Sequence, residues 1–328
     1  MANKFDVLGI GNAIVDVLIH VEDDFLTSEK LTKGSMQLVS EVEAASIYAK
    51  LGQCIECSGG SAANTIAGLA SMGASTSYIG KVRDDQLGKV FQHDIKALGT
   101  DYRTGAATDG PATAHCLVLV SPDAERTMCT YLGACGNLTE ADIDEHTVGS
   151  SSITYLEGYL WDPEPAKAAF RKAIKIAHNA GNKVSLSLSD SFCVERHHAE
   201  FLKLVKGGVD ILFANEDEIK MLYGTDDVNE AARQVQQDCD IAAITCGAAG
   251  CIVTNKDEIG HVQGRNVDNL VDTTGAGDLF ASGFLYGLTN GKSIGECGAI
   301  GNLVAGEVIT HLGARPDIDL KEFVTANI

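Results

Sequence analysis

Positive charge is scarce in this chain: 25 Lys and Arg stand against 45 Asp and Glu over 328 residues, a formal net charge of −20 at pH 7. That imbalance excludes nucleic acid or an anionic membrane as the main partner, because the long-range field has the wrong sign. An anionic substrate must then be drawn by backbone dipoles and a few placed cations. No apolar run approaches the ~18 residues that a membrane helix needs, and residues 1–9 lack a charged-then-apolar leader, so a cytoplasmic location is expected. Pro-rich linkers, low-complexity runs and fixed-period repeats are also missing. The 10 cysteines form no paired framework; Cys116, Cys246 and Cys251 sit inside apolar runs, as small hydrophobes do in a reducing compartment. Cys54 and Cys57 have the spacing of a metal or redox pair without a second ligand pair or a thioredoxin-like setting, and Cys193 with His197 and His198 reads more simply as a helix start. A dinucleotide fold is excluded too, since Gly9-Ile-Gly11 is not continued by the third glycine of that fingerprint.

What is present is an ordinary globular composition, 45% hydrophobic and 21% charged, enough for one large core or two modest ones. Short apolar runs alternate with amphipathic segments over most of the length, as in 165–177 followed by 184–188, or 209–213 followed by 216–223 and 241–245. This rhythm predicts an α/β fold with a largely parallel central sheet flanked by helices. Two stretches break it, 14–42 and 100–133, where alternating apolar and polar residues flank turns at Gly110-Pro111 and Ser121-Pro122. They predict a small β-sheet lid, discontinuous in sequence, on an α/β domain made of 1–13, 43–99 and 134–328.

The run Asp272-Thr-Thr-Gly-Ala-Gly-Asp278 precedes a helical pattern. Gly275, Ala276 and Gly277 leave a bare turn where a phosphate can reach the N–H groups that a helix start leaves unpaired, at the positive end of its dipole. Asp278, in the first helical turn, then faces an acceptor hydroxyl; a Gly-rich turn with an Asp stabilising the helix start accounts for the same residues more blandly. Some 200 residues earlier, Gly59-Gly60-Ser-Ala-Ala-Asn64 opens another apolar helix, either as a structural turn or as a place where ligand hydroxyls meet main-chain N–H groups and the Asn64 amide.

Together, in this order and separation, these runs resemble the two signatures of the ribokinase-like (PfkB) carbohydrate kinases, over nearly the whole chain. The resemblance implies an α/β core with a β lid, ATP as phosphoryl donor, Mg²⁺, and a small-molecule alcohol as acceptor. It implies that Asp278 is the catalytic base and that the backbone of Gly275, Ala276 and Gly277 forms an anion hole, chemistry that suits a reaction needing position and charge more than covalent work. Asn215-Glu-Asp-Glu218 resembles the family's motif acting on Mg²⁺ and phosphate, with Glu218 as the metal residue, through water. Thr245, Gly247 and Gly250 resemble its ATP-phosphate turn, and Asn302 is a candidate near the base of ATP. Asp272 and Thr274, with the carbonyls around 313–315, resemble a monovalent-cation (K⁺) site seen in part of the family. Arg126 corresponds to a lid arginine that reaches the transferred phosphate.

For the acceptor, Asn12 and Asp16 resemble the adenosine-kinase form of their segment. Asp16 and Asn64 would grip vicinal ribose hydroxyls beside Gly59 and Gly60, and Tyr159 would stack on the base. Arg83, where many members have Gly, and the run 33–37, which lacks a His-Lys pairing, depart from the pattern. The resemblance implies transfer of the γ-phosphoryl group of ATP to the 5′-hydroxyl of a nucleoside, adenosine to AMP, with a free pentose or hexose such as ribose or fructose as the alternative acceptor. The expected assembly is a monomer or a homodimer.

Overall fold

The computed structural model describes residues 4–123, 125–267 and 269–328. In chain order its strands are β1 (Phe5–Ile10), β2 (Ile14–His20), β3 (Met36–Leu38), β4 (Ile55–Gly59), β5 (Thr76–Ile79), β6 (Asp101–Tyr102), β7 (Ala114–Val120), β8 (Arg126–Tyr131), β9 (Ser151–Glu157), β10 (Lys183–Ser187), β11 (Ile211–Asn215), β12 (Ile241–Thr245), β13 (Gly250–Asn255) and β14 (Ile259–Gln263). The larger sheet runs β14-β13-β12-β11-β10-β9-β1-β5-β6. From β6 across to β12 every neighbouring pair is parallel, and only β13 and β14 turn back. This is the α/β architecture predicted from the alternation.

Strand β1 shows why helices cover both faces. Its side chains alternate, so Leu8 and Ile10 enter a core that also contains Phe170 and Phe201, whereas Val7 enters a second core with Ile66, Phe280 and Phe284. The first core is closed by helices Glu164–Asn179 and Ser191–Gly207, the second by helices Ser61–Ser71 and Ala276–Thr289. Each fully buried Phe or Leu contributes roughly 1.5–3 kcal/mol to this layering.

The smaller sheet runs β3-β8-β7-β2-β4. Its two faces differ by residue parity. Val17, Leu117, Leu119 and Cys129 point into a separate small core with Leu26 and Ile47. The opposite face carries Asp16, Leu18, Val118, Arg126 and Met128 towards a cleft, with Asp16 opposite Cys116 and Val118 opposite Met128 across the strands.

The expected boundaries move at two places. Residues 55–59 were expected in the α/β domain, but β4 pairs antiparallel with β2 and extends the small sheet. In the other direction, 101–102 was assigned to the lid, yet β6 pairs with β5 at the edge of the large sheet, where buried Tyr102 stacks on Tyr78. A two-residue strand carries no periodicity of its own, so only its partner reveals its allegiance. Among the described residues no helix is long and apolar enough to cross a membrane.

Candidate active site

The cleft has a volume of about 850 Å³ and lies between the C-terminal ends of the parallel strands and the inner face of the small sheet, the place where open α/β sheets bind ligands. Asp278 is in its floor, in the first turn of helix Ala276–Thr289, entered through Gly275 at a left-handed φ of 78°. Its Oδ1 accepts from Ser61 Oγ at 2.6 Å and its Oδ2 from Asn64 Nδ2 at 3.1 Å. Burial raises the pKa of this carboxyl, and the two hydrogen bonds oppose that rise. Ser61 and Asn64 belong to helix Ser61–Ser71, so two helix starts from opposite ends of the chain converge on one carboxylate.

At the turn expected to form an anion hole, the backbone amides differ in what they already bind. Ala276 N–H already donates to Thr273 O at 3.2 Å, while Gly277 and Asp278 N–H have no backbone acceptor among the described residues. These two amides, and not that of Ala276, are the unpaired donors of this helix start. Arg126, from β8, reaches across from the lid: its Nη1 donates to Thr274 Oγ1 at 3.0 Å and its Nη2 pairs with Asp272. Asp272 also accepts from Thr274 N at 3.0 Å and Gly313 N at 3.0 Å. The side chains expected to hold a monovalent cation are thus bound to a guanidinium, which supplies positive charge at that place itself.

Asp16 is half-buried in the cleft wall, and loss of water around its carboxyl pushes it up to about 6 despite the opposing Arg315 and Arg126 guanidinium groups, with Asp278 adding to the rise. Gly59 and Gly60 make room for this arrangement. A Cβ on Gly59 would collide with the Asp16 carboxylate, and one on Gly60, which has φ 95°, with the Asn12 carbonyl oxygen. Asn12, 2% exposed, is held by Glu157, whose Oε1 accepts from Asn12 Nδ2 at 2.6 Å and whose Oε2 accepts from Ala62 N at 2.8 Å. The expected grip of Asn12 and Asn64 on an acceptor is therefore partly taken up inside the protein. Tyr159 lines the cleft, while its neighbours Leu160 and Trp161 are core residues, Trp161 packed against Phe170 and Phe201.

On the phosphate side, Asn215, Glu218 and Thr245 line the cleft as well. Asn215 caps helix Glu216–Tyr223 in a reciprocal box: Glu218 Oε2 accepts from Asn215 N at 2.9 Å, Glu218 Oε1 from Asn215 Nδ2 at 2.7 Å, and Asn215 Oδ1 from Glu218 N at 2.8 Å. Glu218 is 4% exposed, and burial, with the nearby Asp190 adding to it, pushes its carboxyl up to about 7. Among the described residues no three His, Cys, Asp or Glu side chains gather as a metal centre. The structure does not bring Gly247, Gly250 and Asn302 into this cleft. A Cβ on Gly250 would collide with Val262 O, so this glycine lets β13 cross close to the end of β14. Asn302 donates to Val262 O at 3.3 Å and Gln263 O at 3.1 Å and ties helix Ile294–Val308 to the same strand end.

Three residues were missed in the sequence. Ser61 lies inside the Gly59–Asn64 run, but a serine at a helix start reads as a cap. Glu157, 1% exposed with its carboxyl pushed up to about 7 by burial, had a signal: a lone acid closing the apolar run of β9. Arg315 had none.

A carboxylate at a bare helix start, with a guanidinium reaching over from the small sheet, has the chemistry of a phosphotransferase with an alcohol acceptor, and the comparisons with known proteins show that class. Residues 36–320 match the model of the pfkB family carbohydrate kinases, and the chain belongs to that family, whose kinases use ATP and a divalent metal. It is similar to the adenosine kinase from Sinorhizobium meliloti at 46% identity and TM-score 0.93, covering 99% of this chain and 100% of that one. A probable sugar kinase protein from Rhizobium etli CFN 42 has the same identity and TM-score over 99% of both chains. An uncharacterized sugar kinase from Archaeoglobus fulgidus is 30% identical over 253 residues, 76% of this chain and 96% of its own.

Proposed function

We propose that the protein transfers the γ-phosphoryl group of ATP to the 5′-hydroxyl of a nucleoside, with adenosine as the first acceptor to test. The observation that carries this reading is the apolar inner face of the small sheet, where Leu18, Val118 and Met128 stand over the cleft with Tyr159 opposite and Asp16 beside them. A heterocyclic base gains from such a surface, and a single carboxylate suffices for the ribose diol. A free sugar would set hydroxyls against apolar walls and leave them unpaired. The similarity to the Sinorhizobium meliloti adenosine kinase supports the same acceptor. The second reading, a free pentose or hexose, is favoured by the sugar-kinase names of the other two relatives.

In this reading Asp278 takes the hydroxyl proton, and Ser61 and Asn64 hold its two oxygens in place. The Gly277 and Asp278 amides face the developing charge, and Arg126 brings a permanent cation when the lid is down. Mg²⁺ fits the Glu218 side of the cleft: two acids that repel one another there would be relieved by a hydrated cation held through water. When bound, such an ion neutralises the phosphates. The monovalent cation has no part in the proposed reaction.

ADP release, measured with adenosine, ribose and fructose as acceptors, tests the assignment. Adenosine is expected to give the highest kcat/KM, and 2′- or 3′-deoxyadenosine to lose ~1.5–3 kcal/mol of transition-state binding as Asp16 loses a charged hydrogen bond. Efficient turnover of ribose or fructose with no reaction or competition by adenosine rules out the nucleoside. Because both Asp16 and Asp278 must be ionised and both are raised, kcat/KM is expected to fall on the acid side with a midpoint at or above about 6. A flat profile down to pH 5 contradicts these roles.

A further inference from the structure

The segment 312–316 follows helix Ile294–Val308 and is anchored by the Gly313 N–H bond to Asp272. It brings Arg315 into the cleft wall. Arg315 Nε donates to Asn64 Oδ1 at 3.4 Å, and Asn64 Nδ2 donates to Asp278 Oδ2 at 3.1 Å. A guanidinium has no lone pair to offer and a carboxylate no proton to give, so these two partners leave the Asn64 amide only one orientation. Arg315 Nη2 is buried and has no hydrogen-bond partner among the described residues. An unpaired charged donor is costly, and the residue that carries it lines the cleft. The other titratable groups around Arg315 are Asp16 on β2, Cys57 on β4, Tyr78 on β5 and Asp94 on helix Gln86–Ala97. Asp16 and Cys57 line the same cleft.

We infer that Arg315 is a positioning and acceptor-binding residue: it locks the Asn64 amide towards Asp278 and offers Nη2 to a lone pair of the bound alcohol. This rests on the phosphotransfer reading above. The charge effect has a definite sign. Burial drives the Asp16 carboxyl up, Arg315 is the largest influence holding it down, Arg126 acts in the same direction and Asp278 against it. Removing Arg315 therefore raises the pH at which Asp16 ionises.

The test compares Arg315→Met and Arg315→Lys with wild type in the full chain, using whichever of adenosine, ribose and fructose the wild type turns over best. For Arg315→Met the acceptor KM is expected to rise about tenfold or more, the loss of one charged hydrogen bond, with the ATP KM unchanged. The acidic limb of kcat/KM should move to higher pH. Arg315→Lys should restore the position of the limb, since the charge returns, but not the KM, since the fork of donors does not. An acceptor KM within about twofold of wild type together with an unmoved limb overturns the inference. So does an equal rise in both KM values with a lowered melting temperature, which marks a merely structural residue. Wild-type inactivity towards all three acceptors overturns the proposed function first, and this inference with it.

Discussion

Two Gly-rich helix starts meet at Asp278, and their glycines are there for opposite reasons. At 59–60 the missing side chains make room for the protein itself: the Asp16 carboxylate lies against Gly59 and the Asn12 carbonyl against Gly60. At 277 a Cβ would meet nothing within 4 Å, on a residue that lines the cleft. Gly275 combines both cases, with a left-handed φ and Ala314 close behind it. The first start is a packed junction between the small sheet and the core, and the second is a space kept open. A glycine beside a filled neighbourhood reports on stability, whereas one beside an empty neighbourhood in a cleft reports on a ligand. Similar runs of letters therefore carry different physics, and substitutions should separate them.

The largest effect is expected where the two starts meet. Asp278→Asn should fold as wild type and lose acceptor-dependent turnover by at least ~10²-fold, since an amide cannot take the proton; near-wild-type activity of the purified variant would sink the base assignment. Gly60→Ala should lower stability by about 1–3 kcal/mol, from a strained φ and a backbone collision that has nowhere to relax. A melting temperature equal to wild type would show that the junction is not packed as described. Gly277→Ala should do the reverse. Alanine is the better helix residue by ~1 kcal/mol, so the melting temperature should hold or rise, while a methyl group in the phosphoryl path lowers kcat by roughly tenfold. If stability falls and kcat is untouched, the open-space reading is wrong.

A third helix start, capped by Asn215 and Glu218, sharpens the comparison from the metal side. Glu218→Gln presents an NH₂ where the carboxylate now accepts, so it should cost ~1 kcal/mol of cap stability. It should also raise the Mg²⁺ concentration for half-maximal rate with the acceptor KM unchanged. A change in acceptor KM at unaltered Mg²⁺ dependence would move Glu218 out of the metal role.

Features that depend on neighbours along the chain were legible in the letters. Alternation of apolar runs and amphipathic helices is local, and it was enough for the mostly parallel sheet. Asp272 to Asp278 is local as well, because a Gly-Ala-Gly turn at a helix start and a carboxylate in its first turn need only a few adjacent residues to be legible. The rest is long-range and came from packing. It placed β4 in the small sheet and β6 in the large one, bonded Arg126 to Asp272 and Thr274, and set Asn302 and Gly250 against the end of β14. The Asn64 role shows the physical reason. Its amide is fixed between Asp278, 214 positions later, and Arg315, 251 positions later. No periodicity or spacing in the chain encodes which residues the packing of two helix starts and a loop will bring within hydrogen-bonding distance.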